Sequence, residues 1–356
     1  MNRARAGLPG RARGNPPGMH VAVTGATGNV GTALVQALLD DPAVTHITGI
    51  ARRAPAMRPE RVAWVAADVT EADLAPAFDG ADAVVHLAWA IQPSHDRERL
   101  RRVNVDGSAR VFDAAVRAGV PALVYASSVG AYSEGPKDAP VDESWPTGGT
   151  PSSFYAVDKA AVEGILDEVE EANPSLRVVR LRPGLIFSRR AASGVARLFL
   201  GALFPRALVR PDRIPLVPDL PRLRFQAVHS DDVADAYRRA LHADVRGAFN
   251  IAADPVLDPR VLAGALGARR IPVPSAVARA VVDLTWRTRL QPTPPGWMDM
   301  ALAVPVMSTA LASAALGWTP SRTSVEALLE ILEGIADKAG AATPPLHSPK
   351  GTEVLR

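Results

Sequence analysis

The stretch His20-Val-Ala-Val-Thr-Gly25-Ala-Thr-Gly28-Asn-Val-Gly31 decides how the chain is read. A β-branched apolar run, Val21 to Thr24, stops at a glycine, and two more glycines follow at three-residue spacing. A helical pattern then begins, with Leu34, Leu38 and Leu39 on one face. The order is strand, tight turn, helix N-terminus. Such a turn lets backbone approach a pyrophosphate, and the helix N–H groups and dipole favour its charge. The spacing Gly-x-x-Gly-x-x-Gly is wider than the usual dinucleotide fingerprint. Taken alone, the stretch favours a dinucleotide site over a glycine-rich turn of another α/β protein, and the rest of the chain has to decide.

With 356 residues the chain is long enough for one large domain or two modest ones. It has no cysteine, which excludes disulfides, thiolate nucleophiles and zinc–thiolate sites and fits a reducing, cytoplasmic setting. The formal charge of +3 and the scattering of arginines among acids argue against a nucleic-acid surface. No uncharged apolar run is long enough for a membrane span. Lysine occurs only at Lys137, Lys159, Lys338 and Lys350, and every other basic side chain apart from histidine is arginine. Residues 1–18 are rich in Arg, Gly, Pro and Ala without periodicity and read as a disordered basic leader, with Met19 an alternative start. Residues 340–356 read as a second loose tail.

Between these ends, short apolar runs alternate with helical patterns. Strands are predicted at 47–51, 62–66, 83–88, 122–126 and 176–181, and helices at 97–118 and 152–172. This alternation predicts a doubly wound parallel sheet whose ligand lies beyond the carboxyl ends of the strands. Gly25, Arg52, Asp68, Ala88, Ser128 and Pro183 should therefore converge on one crevice. Past residue 185 the pattern predicts a helix at 195–208, a loop at 210–224, strands at 225–229 and 248–251 around a helix at 231–241, and amphipathic helices at 273–289 and 324–338.

The second informative stretch is Tyr155-Ala-Val-Asp-Lys159. Positions four apart share a helix face, so a phenol and an ammonium lie side by side. A neighbouring cation favours the phenolate, and such a pair can exchange a proton with an alcohol or carbonyl. Lysine suits the place because a compact ammonium can also bond a ribose hydroxyl. A helix-surface Tyr and Lys pair is the plainer reading of the same spacing. Ser127 and Ser128 follow the fifth strand, where a hydroxyl can hold a substrate oxygen or simply make a turn.

In order and spacing these pieces resemble the extended short-chain dehydrogenase/reductases, the NAD-dependent epimerase/dehydratase family, over roughly 19–335. The resemblance is carried by Thr24 to Gly31, Asp68-Val69, His86-Leu87-Ala88-Trp89, Asn104 to Ser108, Ser127 to Tyr132, Tyr155-x-x-x-Lys159, Arg182-Pro183-Gly184, Val228 to Val233 and Leu316-Gly-Trp-Thr-Pro320. It implies a Rossmann nucleotide-binding domain over 19–185. It implies a smaller, interleaved substrate lobe over 186–339, with returning Rossmann elements near 225–251. Tyr155 is then the general acid/base, Lys159 lowers its pKa and holds the nicotinamide ribose, and Ser128 bonds the substrate oxygen. Ser127 shapes the strand end, and Asn104 supports the central helix. Cofactor contacts are expected from Gly25, Thr27, Gly28, Asn29, Val30, Gly31, Arg52, Arg53, Asp68, Val69, Leu87, Ala88, Tyr155, Lys159 and Pro183. Family members often pair through the two long helices, so a homodimer is expected.

Departures from the family pattern narrow the reading. The second strand ends in Ala51-Arg52-Arg53, where a carboxylate would select NAD(H). Two guanidiniums there favour the 2′-phosphate of NADP(H), with NAD(H) the alternative. Val129-Gly130 follows Ser128 in place of an Asp-Glu pair, which disfavours sugar-nucleotide dehydration. Arg182 to Phe187 resembles members acting on smaller or less polar carbonyl compounds. Trp89, Phe154, Phe199, Phe204, Trp286 and Trp297 are candidate pocket walls, and Trp89, Ser128, Phe154 and Phe187 candidate substrate contacts, although core packing accounts equally well for about half of such aromatics. His86, His229, Asp231 and Asp232 are not spaced as a metal site. The sequence therefore predicts an NADP(H)-preferring oxidoreductase of a carbonyl or alcohol substrate. The alternatives are an epimerase working through a transient keto intermediate, and a non-catalytic NADP-binding regulator.

Overall fold

The computed structural model describes residues 18–92, 94–200 and 204–347. The leader expected at 1–18 and the end of the tail, 348–356, lie essentially outside the described residues. The central sheet is built of β1 (Met19–Thr24), β2 (Val44–Ala51), β3 (Val62–Ala66), β4 (Ala83–His86), β5 (Ala122–Ala126), β6 (Arg177–Pro183) and β7 (Gly247–Ile251). They lie in the order β7-β6-β5-β4-β1-β2-β3, and every pairing is parallel. The chain reverses direction across the sheet between β1 and β4, and such a switch point leaves a crevice at the strand ends.

Both faces of the sheet are covered, as parallel strands require. Alternate residues of β1 point to opposite layers. Val21 and Val23 join a core with Leu34 and Leu38 of α1 (Asn29–Leu39) and with Tyr237 and Trp318. Ala22 joins the other layer with Ile50, Phe112, Leu123 and Leu166. The second layer is carried by α2 (Gly107–Arg117) and α3 (Phe154–Ala172). The long helix expected at 97–118 is interrupted by a π-helical turn, Arg102–Asp106, at which Asn104 turns inward. Asn104 Oδ1 accepts from Ala90 N at 2.7 Å and its Nδ2 donates to Ala90 O at 2.9 Å. It therefore holds the loop after β4 and is not a prop for the helix alone.

The second half departs from expectation in four places. Phe225–His229 does not enter the central sheet; it pairs with Leu185–Phe187 and Ala253–Leu257 in a separate three-stranded sheet. Of the returning elements, α5 (Ser230–His242) shares the first core layer through Tyr237, and β7 takes the sheet edge. The helix expected at 195–208 is α4 (Ala192–Phe199), and a separate 3-10 turn follows at Arg206–Val209. The region expected as a loop, 210–224, contains a strand, Leu216–Asp219, paired with Arg269–Pro272. Finally, residues 340–347 are not loose. Leu346 is buried, Ser193 Oγ donates to its carbonyl at 2.9 Å, and Thr343 Oγ1 lies 3.3 Å from Thr32 Oγ1 of α1. A single apolar side chain with satisfied backbone is enough to dock so short a segment. Among the described residues no helix is long and apolar enough to cross a membrane.

Candidate active site

The crevice at the switch point is shaped by glycines. Gly25 has φ +71°, and a Cβ there would lie 2.7 Å from Ala88 N, so the ends of β1 and β4 meet backbone to backbone. A Cβ on Gly31 would sit 2.2 Å from Gly25 O, which seats α1 directly on the turn. The N-cap of α1 is Gly28, without a capping side chain and without an acid in the first turn. Its first N–H groups are thus left for an anion, and the turn fits a cofactor pyrophosphate. Thr27 is buried, Val30 packs on the core, and the Asn29 side chain ties the turn to the second lobe by accepting from Ser188 Oγ at 3.0 Å and Ser230 Oγ at 2.7 Å.

Around this turn the other strand ends deliver their expected residues unevenly. Leu87 N donates to Thr24 O at 3.1 Å, which keeps Ala88 against the glycine turn. Asp68 lies past β3. Burial would raise its carboxyl, but hydrogen bonds from Thr70 N and Oγ1, with the nearby charge of Arg52, outweigh that and hold it low. The Val69 side chain points inward against Gly107. Pro183 ends β6 and is buried. His86 is a satisfied core residue, with Nδ1 2.7 Å from Thr24 Oγ1 and Nε2 2.9 Å from Ser108 Oγ; burial keeps it neutral by lowering its pKa to about 3.

Past β5 the two serines divide. Ser127 Oγ donates to Glu163 Oε1 at 2.5 Å, inside the core. Ser128 is extended, accepts from Gly130 N at 3.0 Å and lies close enough to the Tyr155 phenol to act on its pKa. The helix α3 starts at the Ser153 cap, so Tyr155 occupies its first turn, with Lys159 and Glu163 at successive four-residue steps. Burial pushes the Tyr155 phenol above its ordinary value, and Ser128 draws it partly back.

Lys159 differs from its expected role. It is 3% exposed, and its Nζ donates to Ala126 O at 2.6 Å and to Tyr125 Oη at 3.4 Å. The Nζ lies 3.5 Å from the centroid of the Trp89 ring and 6.0 Å from that of Tyr155. Burial lowers the ammonium to about 7, against the pull of Glu163. The expected lowering of the Tyr155 pKa by Lys159 is therefore absent from this geometry, because burial acts on both groups and the ammonium turns to a carbonyl and an indole face.

Trp89 and Trp297 wall the phenol, with ring centroids 5.9 and 4.7 Å from Tyr155, and Phe199 packs edge-on against Trp297 at 5.4 Å. The Trp89 indole N–H is buried without an acceptor. A cavity of about 340 Å³ beside Phe199 is lined also by Val282, Gln291, Thr293 and Met298. The remaining aromatic candidates go elsewhere. Phe154 lies under the Arg97 guanidinium, Trp286 stacks on His95, Phe204 is largely exposed, and Phe187 packs in the second lobe. None of the catalytic candidates lines the larger cavity, about 630 Å³, between Lys137, Arg224 and Ser308.

Glu163 was not singled out from sequence. It is 1% exposed and accepts from Arg182 Nε and Nη2, both at 2.9 Å, from Arg180 Nη1 at 3.2 Å and from Ser127. Its signal was present: Tyr155, Lys159 and Glu163 continue one helical face.

A sequence model described as the NAD dependent epimerase/dehydratase family matches residues 21–252. An uncharacterized Mycobacterium tuberculosis protein is 29% identical over 325 residues, which are 90% of this chain and 31% of that one. The chain thus spans about a third of the length of the first curated relatives it matches. An L-arabinose 1-dehydrogenase (NAD(P)(+)) of Haloferax volcanii is 41% identical over 109 residues, 30% of this chain and 40% of that one. Among solved structures, UDP-glucuronic acid 4-epimerase from Bacillus cereus in complex with UDP-glucuronic acid and NAD superposes with a TM-score of 0.66 at 18% identity, covering 90% of this chain and 99% of that chain.

Proposed function

The chain belongs to the NAD-dependent epimerase/dehydratase family, and on that premise we propose that it reduces a carbonyl compound of small or moderately apolar character with NADP(H). The observation that carries this reading is the placement of Ser128, at the end of β5, close enough to the Tyr155 phenol to act on its pKa, with Lys159 one turn further along α3. A bound nicotinamide cofactor supplies the hydride. Ser128 and Tyr155 together orient a substrate oxygen between the Trp89 and Trp297 rings. Because burial keeps the phenol protonated, Tyr155 is set to donate a proton to that oxygen as the carbonyl carbon gains the hydride. The resulting phenolate is held by the Ser128 hydroxyl until it is reprotonated. The Lys159 ammonium, already lodged beside the site, offers donors to a ribose hydroxyl.

Preference for NADP(H) is supported by the end of β2, where buried Ala51 is followed by exposed Arg52 and Arg53 and the strand itself ends in no carboxylate. The aromatic walls support an apolar substrate over a sugar nucleotide. The epimerase reading uses the same residues and returns the hydride to the opposite face.

One experiment tests the reading. NADPH oxidation is followed against a panel of carbonyl compounds with wild type and Tyr155→Phe. The variant should lose about 10²- to 10⁴-fold in kcat while its NADPH affinity stays within a few-fold. Equal turnover by the variant would refute the role of Tyr155. Isomerised product without net NADPH loss would favour the epimerase.

A further inference from the structure

The amphipathic helix expected at 273–289 is α6 (Ser275–Arg287), and it lies on the surface with no buried residue. Val277, Val281 and Leu284 share one face of it and are 55%, 56% and 63% exposed. Ala280, between them on the same face, is exposed as well. The adjoining face is different: Val282 and Thr285 line the cavity beside Phe199, which packs on Trp297 at the wall of the Tyr155 site. The exposed stripe therefore borders that cavity without forming part of it. Aliphatic side chains gathered in water on one helix face mark a surface that another apolar phase covers.

Charge decides what covers it. From 269 to 290 the chain has five arginines, Arg269, Arg270, Arg279, Arg287 and Arg289, against the single acid Asp283, in a chain whose formal charge is only +3. Three of them are held by acids: Arg270 by Asp219 at 3.0 Å, Arg279 by Asp299 at 2.8 Å and Arg287 by Asp283 at 2.9 Å. Among the described residues the side chains of Arg269 and Arg289 have no partner. The surroundings of the stripe thus stay positive even with Asp219 and Asp299 counted. A second copy of the chain would press these arginines against their own counterparts, because a two-fold contact pairs a patch with itself. The amino-terminal segment carries Arg3, Arg5, Arg11 and Arg13 and no acid before Met19, so it is repelled in the same way. An anionic lipid surface meets both demands, since it takes up aliphatic side chains and attracts the cations beside them. With 13 residues, α6 is about 20 Å long, too short to span a bilayer and suited to lie in its interface.

We propose that α6 docks flat on an anionic lipid bilayer through Val277, Val281 and Leu284, with Arg269 and Arg289 meeting headgroup phosphates. The docking stands independently of the reaction proposed above, and either can fail without the other.

The test is cosedimentation of the full chain with vesicles of phosphatidylcholine and phosphatidylglycerol in equal parts, and with vesicles of phosphatidylcholine alone. It uses wild type, Val281→Thr/Leu284→Gln and Arg269→Gln/Arg289→Gln, each checked for an unchanged urea midpoint and followed by sedimentation velocity. Wild type should bind the mixed vesicles about tenfold more tightly than phosphatidylcholine alone, and added salt should weaken that binding. The apolar double variant should lose about tenfold or more on the mixed vesicles, and the arginine double variant about tenfold there with little change on phosphatidylcholine. If wild type binds neither vesicle, or the apolar variant binds as tightly as wild type, the docking is overturned. Equal binding of wild type to both vesicles overturns the anionic surface. A wild-type dimer that binds no vesicle and dissociates in Val281→Thr/Leu284→Gln assigns the face to a second copy and likewise overturns the proposal.

Discussion

Glu163→Gln removes one charge and almost no volume, so its consequence can be worked from the residues it leaves behind. In wild type the carboxylate is 1% exposed and meets Arg182 Nε and Nη2, both at 2.9 Å. Arg180 also touches it, but Arg180 has Asp167 and Glu170 besides. Among the described residues, Arg182 is left with the Tyr132 hydroxyl and the Glu143 carbonyl as hydrogen-bond acceptors. The substitution therefore leaves Arg182, itself 5% exposed, without a hydrogen-bonded counter-charge. Breaking such a buried pair costs about 3–5 kcal/mol, most of it the penalty of the orphaned charge. Burial alone would raise the Glu163 carboxyl; the Arg182 hydrogen bond and charge, then Ser127 and Arg180, outweigh it and hold the pKa below the ordinary value. A depressed carboxyl stabilises the fold above its unfolded-state pKa, and that stabilisation is lost as pH falls through the folded value. Urea unfolding at pH 7 should show a large gap between wild type and Glu163→Gln, and the gap should close on acidification below the ordinary carboxylate range. A gap under about 1 kcal/mol at neutral pH would refute the reasoning, since that is the scale of a solvated pair.

Lys159→Met should unfold at the same or a higher urea concentration than wild type while losing turnover, because it removes a buried cation whose pKa is lowered to about 7. That gain should be greatest below pH 7 and shrink as pH rises, since the folded state then no longer carries the charge that the unfolded chain still holds. Gly31→Ala places a Cβ 2.2 Å from Gly25 O, so α1 must shift off the turn. A stability loss of about 1–3 kcal/mol by thermal melting, with weakened NADPH binding by fluorescence titration, is expected.

What the sequence discloses of this site follows from how local each relation is. Tyr155 and Lys159 share a face because helical geometry alone puts them there, and the same rule extended one step reaches Glu163. By contrast, the existence of the strand Phe225–His229 is legible while its sheet is not, because pairing with Leu185–Phe187 is fixed by packing some 40 residues away. The aromatics that reach Tyr155, Trp89 and Trp297, lie still farther away along the chain, whereas Phe154 is its chain neighbour and faces Arg97. Adjacency on a helix sends Phe154 to another face. Only tertiary contact brings Trp297 in.

Residue choice carries a further signal that pattern alone does not. In a chain that writes nearly every cation as arginine, Lys137 and Lys159 are both buried, and both ammonium groups are lowered by burial to about 7. Each meets backbone carbonyls in place of a carboxylate: Lys137 donates to Arg224 O and Ala301 O at 2.9 Å, Lys159 to Ala126 O at 2.6 Å. A guanidinium in either place would bring five donors in a planar fork and leave several unmet. It would also stay charged at any accessible pH, whereas a buried ammonium can give up its proton. Lysine is thus used where a cation must be compact and able to discharge. Of the two, only Lys159 has a phenol one helical turn away and an indole face across its Nζ, so burial chemistry common to both becomes site chemistry in one.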